Sequence, residues 1–262
     1  MSLTANDPRL WIVAGPNGSG KTSIYDNADI EDFGRSVWII NPDALAKRIR
    51  DIEGIDPVPA NVEAVQRIER WLYSSIDAHQ TVGVETVSST PKYRALVLAA
   101  KKRNFAIRLI YVLLNSAQLN IERVRLRVAK GGHDVPTNKI VERRERSLAQ
   151  LSWFLRQSDD AWLFDNSGES PQLIGSKTKG KISLRTNALP EIRKAVGLAE
   201  SEQSAIDQRR NGYGKKATHN AVRLLQCKTY PRPSTSTALR PPKANELDIA
   251  FLIGALRAVF GT

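Results

Sequence analysis

The chain has 262 residues, 41% of them hydrophobic, with 39 Lys/Arg against 27 Asp/Glu, a formal net charge of +12 and a pI near 9.9. That length and apolar content bury a core and suit one large domain or one domain with an appendage, while the charge points to a polyanionic ligand or partner and says nothing of the fold. No apolar run reaches the roughly 18 residues of a membrane span, the opening MSLTANDPRLW lacks the order of a signal peptide, and Cys227 is the single cysteine, so a reducing cytoplasm is the expected compartment.

The first predicted element is a buried strand, LWIVA (10–14), which runs straight into GPNGSGKTS (15–23). Gly15, Gly20, Lys21 and Thr22 fit the phosphate-loop pattern G-x-x-x-x-G-K-[ST], in the strand-to-helix context that pattern requires. The glycines let successive amides point inward around an anion, and the helix starting near Lys21 adds its N-terminal partial charge. Gly15, Pro16, Asn17, Gly18, Ser19, Gly20, Lys21, Thr22 and Ser23 are therefore read as the nucleotide-binding segment. In it Lys21 reaches the β- and γ-phosphates and the Thr22 hydroxyl ligates Mg²⁺. The competing reading is a glycine-rich turn that holds no ligand.

Strand and helix then alternate. A strand SVWII (36–40) precedes helices near 43–52 and 60–79, a strand TVGVE (81–85), a helix 92–103 and a strand FAIRLIYVLL (105–114). Helices near 117–129 and 137–156, a strand AWLFD (161–165), a hairpin within 171–187 and a short helix at 190–196 complete the body. Alternation at these lengths predicts an α/β fold: a mainly parallel sheet with helices on both faces and ligands at the carboxyl ends of the strands.

Polar residues at those ends are the candidates for chemistry. Asp43 lies just past the second strand, where it is either an acid–base carboxylate or a helix cap. Glu85, followed by Thr86, Ser88 and Ser89, ends the third strand; buried unpaired it is costly, so it either serves the site or pairs with a helix arginine. ERVRLRVAKGGHDVPTNKIVERRERSL (122–148) is a basic helix, a glycine break and a second basic helix. Arg123, Arg127 and Lys130 fall on one stripe, and Gly131, Gly132 and Pro136 make the break. The segment reads as a cationic lid over a triphosphate, with Arg143, Arg144 and Arg146 on the returning helix, or as a solvated basic hairpin. His133, with only His79 and His219 besides, gives no metal-ligand spacing and is read as a loop hydrogen-bonder. Asp165 is the only late candidate for a second metal carboxylate, and DNS (165–167) is read as lying near the nucleotide base.

A division is expected near residue 200. Residues 201–262 hold ten Lys/Arg and four Asp/Glu, and within them YPRPSTSTALRPPK (230–243) reads as an extended linker. ELDIAFLIGALRAVF (246–260) follows as an amphipathic segment too short to span a bilayer. The expected organisation is a kinase-like domain 1–200 and a basic extension 201–262.

The phosphate loop, NPD, VGVETVSST, RVAKGGHDVPTNKI followed by RRERSL, and LFDNS, in this order over roughly 9–196, resemble the zeta toxin family of toxin–antitoxin kinases. The resemblance implies a P-loop kinase fold and a kinase using ATP or GTP and Mg²⁺ to phosphorylate a hydroxyl. In the best-known members that hydroxyl belongs to UDP-N-acetylglucosamine, and an antitoxin protein is a partner. It assigns Lys21 and Thr22 to phosphate and metal, Asp43 to the base, Glu85 and Thr86 to the acceptor, and Arg127 with Arg143 to neutralisation of developing charge. Glu145 stands where relatives carry an aromatic residue, so the choice between Arg143 and Arg144 stays open. Two other classes stay open as well: a kinase of another small molecule or nucleoside, and a nucleic-acid-binding ATPase. Against the last, aromatics are only 6% of the chain and are not interleaved with the basic residues.

Overall fold

The computed structural model of the protein describes residues 7–27, 39–132 and 134–224. β1 (Arg9–Ala14) and β4 (Ala106–Leu113) are almost wholly buried apolar runs, as the central strands of a parallel sheet must be. β3 (Val82–Thr86) lies on one side of this pair and β5 (Asp160–Asp165) on the other. With β2 (Ile39–Ile40), β6 (Gln172–Thr178) and β7 (Lys181–Leu184) they form a seven-stranded sheet of order β2-β3-β1-β4-β5-β6-β7. The first five in that order are parallel; β6 and β7 are antiparallel additions. Lys179 and Gly180, at φ 50° and 80°, make the two-residue hairpin between β6 and β7, a geometry that matches the twist of the strands.

The helices are α1 (Lys21–Asn27), α2 (Pro42–Glu53), α3 (Pro57–Asp77), α4 (Arg94–Lys102), α5 (Ala117–Ala129), α6 (Thr137–Gln157) and α7 (Pro190–Leu224). Their ends follow local chemistry. Asn41 caps α2 through its side chain, and Gly54 ends it in the left-handed region with its N–H on the Arg50 carbonyl. Ser116 caps α5, Gly131 follows it at φ 80°, and Pro136 stands before α6. Strand alternation sends Leu10, Ile12, Val84, Leu109 and Leu163 to one face, against Ile68 and Leu72 of α3, Val97 of α4, Phe154 of α6 and Ile192 of α7. Trp11, Val13, Ile110, Val112 and Phe164 go to the other, against Ile24 of α1. The mainly parallel sheet with helices on both faces is therefore the architecture the sequence predicts.

One element departs from expectation. The helix expected at 190–196 continues as α7 to Leu224 and crosses the division placed near residue 200. No proline occurs between Pro190 and Leu224, and a glycine such as Gly197 weakens a helix without ending it. Ile192, Ala195, Val196 and Ala199 are buried, whereas 201–209 are exposed, and residues 1–202 group as one compact unit. Residues 36–38 of the second expected strand, His133, Cys227, the linker 230–243 and the segment 246–260 lie outside the described residues.

If the start of α7 is core, Ile192→Ala, at a position 0% exposed, loses about 2–4 kcal/mol in urea unfolding. Leu198→Ala, at 48% exposed, loses less than about 1 kcal/mol. Equal losses would show that the first turns of α7 are not seated on the sheet.

Candidate functional site

The phosphate loop joins the end of β1 to the start of α1, at the carboxyl edge of the sheet. Gly18 and Gly20 sit at φ 74° and 84°, and a Cβ on either would lie 2.6 Å from the Asn120 carbonyl oxygen and 2.3 Å from Asn166 Nδ2 respectively. The loop thus needs glycine for its left-handed backbone and for the closeness of its neighbours. Lys21, 7% exposed, donates through Nζ to the carbonyls of Gly15 (2.9 Å) and Pro16 (3.1 Å), and its ammonium is 3.8 Å from Glu85 Oε1. Burial lowers its pKa; the charges of Glu85 and Asp43 oppose that shift and the nearby Arg127 adds to it. Glu85, Asp43 and Arg127 therefore each lie within electrostatic reach of Lys21.

Glu85 is carried to this place by pairing. β3 lies beside β1 with Val13 opposite Glu85, so the carboxylate projects next to the loop and its Oε2 accepts from Thr22 Oγ1 at 3.1 Å. The sequence suggests an arginine partner or an acceptor contact; the structure gives Glu85 the lysine and the threonine of the phosphate loop. It stands beside Thr22, near the loop, where the sequence offered no clear second carboxylate. Thr86 Oγ1 accepts from the Ser88 amide at 2.9 Å and shapes the turn after β3.

Asp43 is not the cap of α2. Asn41 is, its Oδ1 accepting from the amides of Asp43 (2.8 Å) and Ala44 (3.3 Å), which leaves the exposed Asp43 carboxylate unneeded for helix termination. Arg127, in the last turn of α5, lines a cavity of about 360 Å³ with Arg123, Leu126, Lys130 and Gly132, so the expected stripe does face a concavity. Arg123 also comes close to the loop, its Nη1 3.7 Å from the position a Gly20 Cβ would take.

The two arginines of α6 separate. Arg144 is 5% exposed, donates to Glu191 Oε1 of α7 at 2.9 Å and faces Asn120 Oδ1 at 3.5 Å. Arg143 is half-buried one position earlier, about 100° around the helix, and the described contacts do not join it to the Lys21 group. The expectation for DNS is corrected too. Asp165 accepts from the amide and hydroxyl of Ser167, and Asn166 Nδ2 donates to the Ser19 carbonyl at 2.9 Å, so this turn supports the phosphate loop. Asn120 and the Arg144–Glu191 pair had no sequence signal, since neither falls in a pattern that specifies a partner.

The residues present fit a bound phosphate. The Ser19 hydroxyl, a donor a phosphate oxygen can accept from, is buried with no hydrogen-bond partner in the structure, in a loop whose glycines let Val112, Asn120 and Asn166 pack against its outer side. Among the described residues no cluster of three or more His, Cys, Asp or Glu side chains is placed to hold a metal, and no helix is long and apolar enough to cross a membrane.

Residues 2–169 match the family model of the zeta toxins. An uncharacterized protein of Haemophilus influenzae is 26% identical over 133 residues, which is 48% of this chain and 89% of that protein. The crystal structure of AvrRxo1-ORF1:AvrRxo1-ORF2 with sulphate ions is similar at TM-score 0.58 and 16% identity, covering 73% of this chain and 64% of that one. The structure of AvrRxo1-ORF1:-ORF2 with ATP is similar at TM-score 0.56 and 15% identity, over 74% and 64%. The present chain thus spans less than two thirds of the length of these structures, which share its fold. The chain belongs to the zeta toxin family, and its phosphate loop sits on a mainly parallel seven-stranded sheet with helices on both faces.

The different settings of the arginines give opposite expectations for stability. Arg144→Met leaves Glu191 without its guanidinium and Asn120 Oδ1 without a donor, and lowers stability by about 2 kcal/mol or more. Arg143→Ala changes it by less than about 0.5 kcal/mol. Thermal unfolding by circular dichroism distinguishes them, and a reversed order would mean that the two guanidiniums have exchanged places.

Proposed function

We propose that the chain is a kinase that transfers the γ-phosphoryl group of ATP or GTP to a hydroxyl of a nucleotide sugar such as UDP-N-acetylglucosamine, acting as the toxin of a toxin–antitoxin pair. The observation that carries this reading is the gathering of Lys21, Glu85, Asp43 and Arg127 around the phosphate loop. A loop that only binds a nucleotide has no use for a further carboxylate and a guanidinium whose charges both reach the same ammonium. The ATP named in one similar structure supports a nucleotide at this loop.

In this reading the loop amides and Lys21 hold the β- and γ-phosphates, the lysine exchanging its carbonyl partners for phosphate oxygens. Thr22, with Glu85 beside it, would hold Mg²⁺, which would supply charge neutralisation to the phosphates. Asp43 accepts the proton of the acceptor hydroxyl. That oxygen forms its bond to the γ-phosphorus as the bond to the β-phosphate bridging oxygen breaks, and the nucleoside diphosphate leaves. Arg127 neutralises the equatorial oxygens from the lid side, with Arg143 as its partner when the lid closes. Thr86 contacts the acceptor. Residues 1–200 act as the kinase domain with 201–262 as a basic extension, and a proteinaceous antitoxin is the expected partner.

Mass spectrometry of UDP-N-acetylglucosamine after incubation with the protein, ATP and Mg²⁺ tests the acceptor: a product heavier by one phosphoryl group is expected, and an unchanged acceptor beside a phosphorylated metabolite from an extract would move the chain to another kinase substrate. Lys21→Ala abolishes either product. Asp43→Asn separates base from bystander. Because Asn41 already caps α2, the variant keeps its melting temperature and ATP affinity while turnover falls at least about 10²-fold. Full activity of the Asn variant would remove Asp43 from the mechanism.

A further inference from the structure

The phosphate loop is held from outside by two asparagines on different elements. Asn120, 0% exposed in α5, donates through Nδ2 to the Asn17 carbonyl at 2.7 Å. Asn166, 7% exposed after β5, donates through Nδ2 to the Ser19 carbonyl at 2.9 Å. Both accepting groups are carbonyls of the loop, and they precede Gly18 and Gly20. In a trans peptide the C=O of one residue and the N–H of the next point in opposite directions. A donor that keeps the Asn17 carbonyl turned outward therefore keeps the Gly18 N–H turned inward, and the same holds for Ser19 and Gly20.

Neither asparagine is free to turn its amide around. A carbonyl oxygen can only accept, so each Nδ2 must face the loop. At Asn120 a second constraint agrees: the guanidinium of Arg144 can only donate, and it faces Oδ1 at 3.5 Å while its other nitrogen is held by Glu191 at 2.9 Å. Asn166 is fixed through its backbone, its N–H on the Leu113 carbonyl, and through its neighbour Ser167, whose hydroxyl accepts from the Asn115 amide at 2.7 Å.

We propose that Asn120 and Asn166 are positioning residues that preset the Gly18 and Gly20 amides toward the nucleotide phosphates, each acting on one peptide plane. The proposal deepens the nucleotide-binding part of the function given above and rests on it. It differs from a general packing role in assigning one glycine amide to each asparagine. Loss of one donor then disturbs one amide and leaves the other in place.

The test uses Asn120→Leu and Asn166→Leu, which keep the branch at Cγ and remove the donor without adding charge, in the full chain labelled with ¹⁵N. In the wild type, Mg·ADP shifts both the Gly18 and Gly20 amide resonances. Asn120→Leu is expected to diminish the Gly18 shift and retain that of Gly20, and Asn166→Leu to do the reverse. The Kd for Mg·ADP and the KM for ATP rise about tenfold in each, with kcat falling less. Should a leucine variant fail to fold, Asn120→Ser and Asn166→Ser, which place a hydroxyl too short to reach the carbonyl, take its place. Unchanged Mg·ADP affinity in folded variants, or loss of both amide shifts together whichever asparagine is replaced, overturns the proposal. A wild-type chain that binds no Mg·ADP overturns the nucleotide reading itself, which is a separate result.

Discussion

A loop that turns its amides toward an anion must turn its carbonyls toward the protein, and carbonyls turned into a dry interior must find donors. Much of the arrangement around residues 15–22 answers that requirement. The carbonyls of Gly15 and Pro16 take the Lys21 ammonium, that of Asn17 takes Asn120, and that of Ser19 takes Asn166. Three parts of the chain far apart in sequence, α5, the turn after β5 and the loop's own lysine, meet because each supplies a donor to one short segment. Glycine is needed where they meet, because α5 and Asn166 come too close for any Cβ.

Charge is arranged by the same economy of partners. Lys21 is buried, which disfavours its ammonium, and Glu85 opposes that effect from across the loop, at the end of the neighbouring strand. Arg144 is buried as well, and Glu191 answers it from α7. The chain carries an excess of +12. Part of it lines the concavity beside Arg123, Arg127 and Lys130, where a polyphosphate is the matching counter-charge. Lys177 illustrates the structural use of a lysine: its ammonium closes the end of α6 by donating to the carbonyls of Leu155 and Ser158 at 2.7 and 2.6 Å.

The link from Asn17 through Asn120 and Arg144 to Glu191 ties the phosphate loop to the helix that closes the sheet's larger core. Each member is nearly buried except Glu191, so the chain of contacts is short of water and every partner matters. Here Arg144 serves the scaffold, while its neighbour Arg143 lies on another side of α6. Two adjacent arginines on one helix cannot face the same way, and the core takes the one that points inward.

The sequence by itself determined the sheet class, the order of its elements and the phosphate loop, because each depends on spacing along the chain: apolar runs of strand length, helical periodicity, and glycines and a Lys-Thr pair at fixed offsets. It also brought Asp43, Glu85 and Arg127 forward, since strand ends and a cationic stripe are visible in one dimension. Three things required the tertiary structure. Strand pairing put Glu85 against Thr22, 63 positions away, and so beside the phosphate loop. The side chain of Asn41 removed the cap from Asp43's duties, a choice between two good caps that local sequence leaves open. Asn120, Asn166 and Arg144 took their roles from donors meeting acceptors 24 to 147 residues apart. A hydrogen bond fixes which atoms meet and leaves the separation along the chain free, so partnerships of this kind leave no period or motif to read.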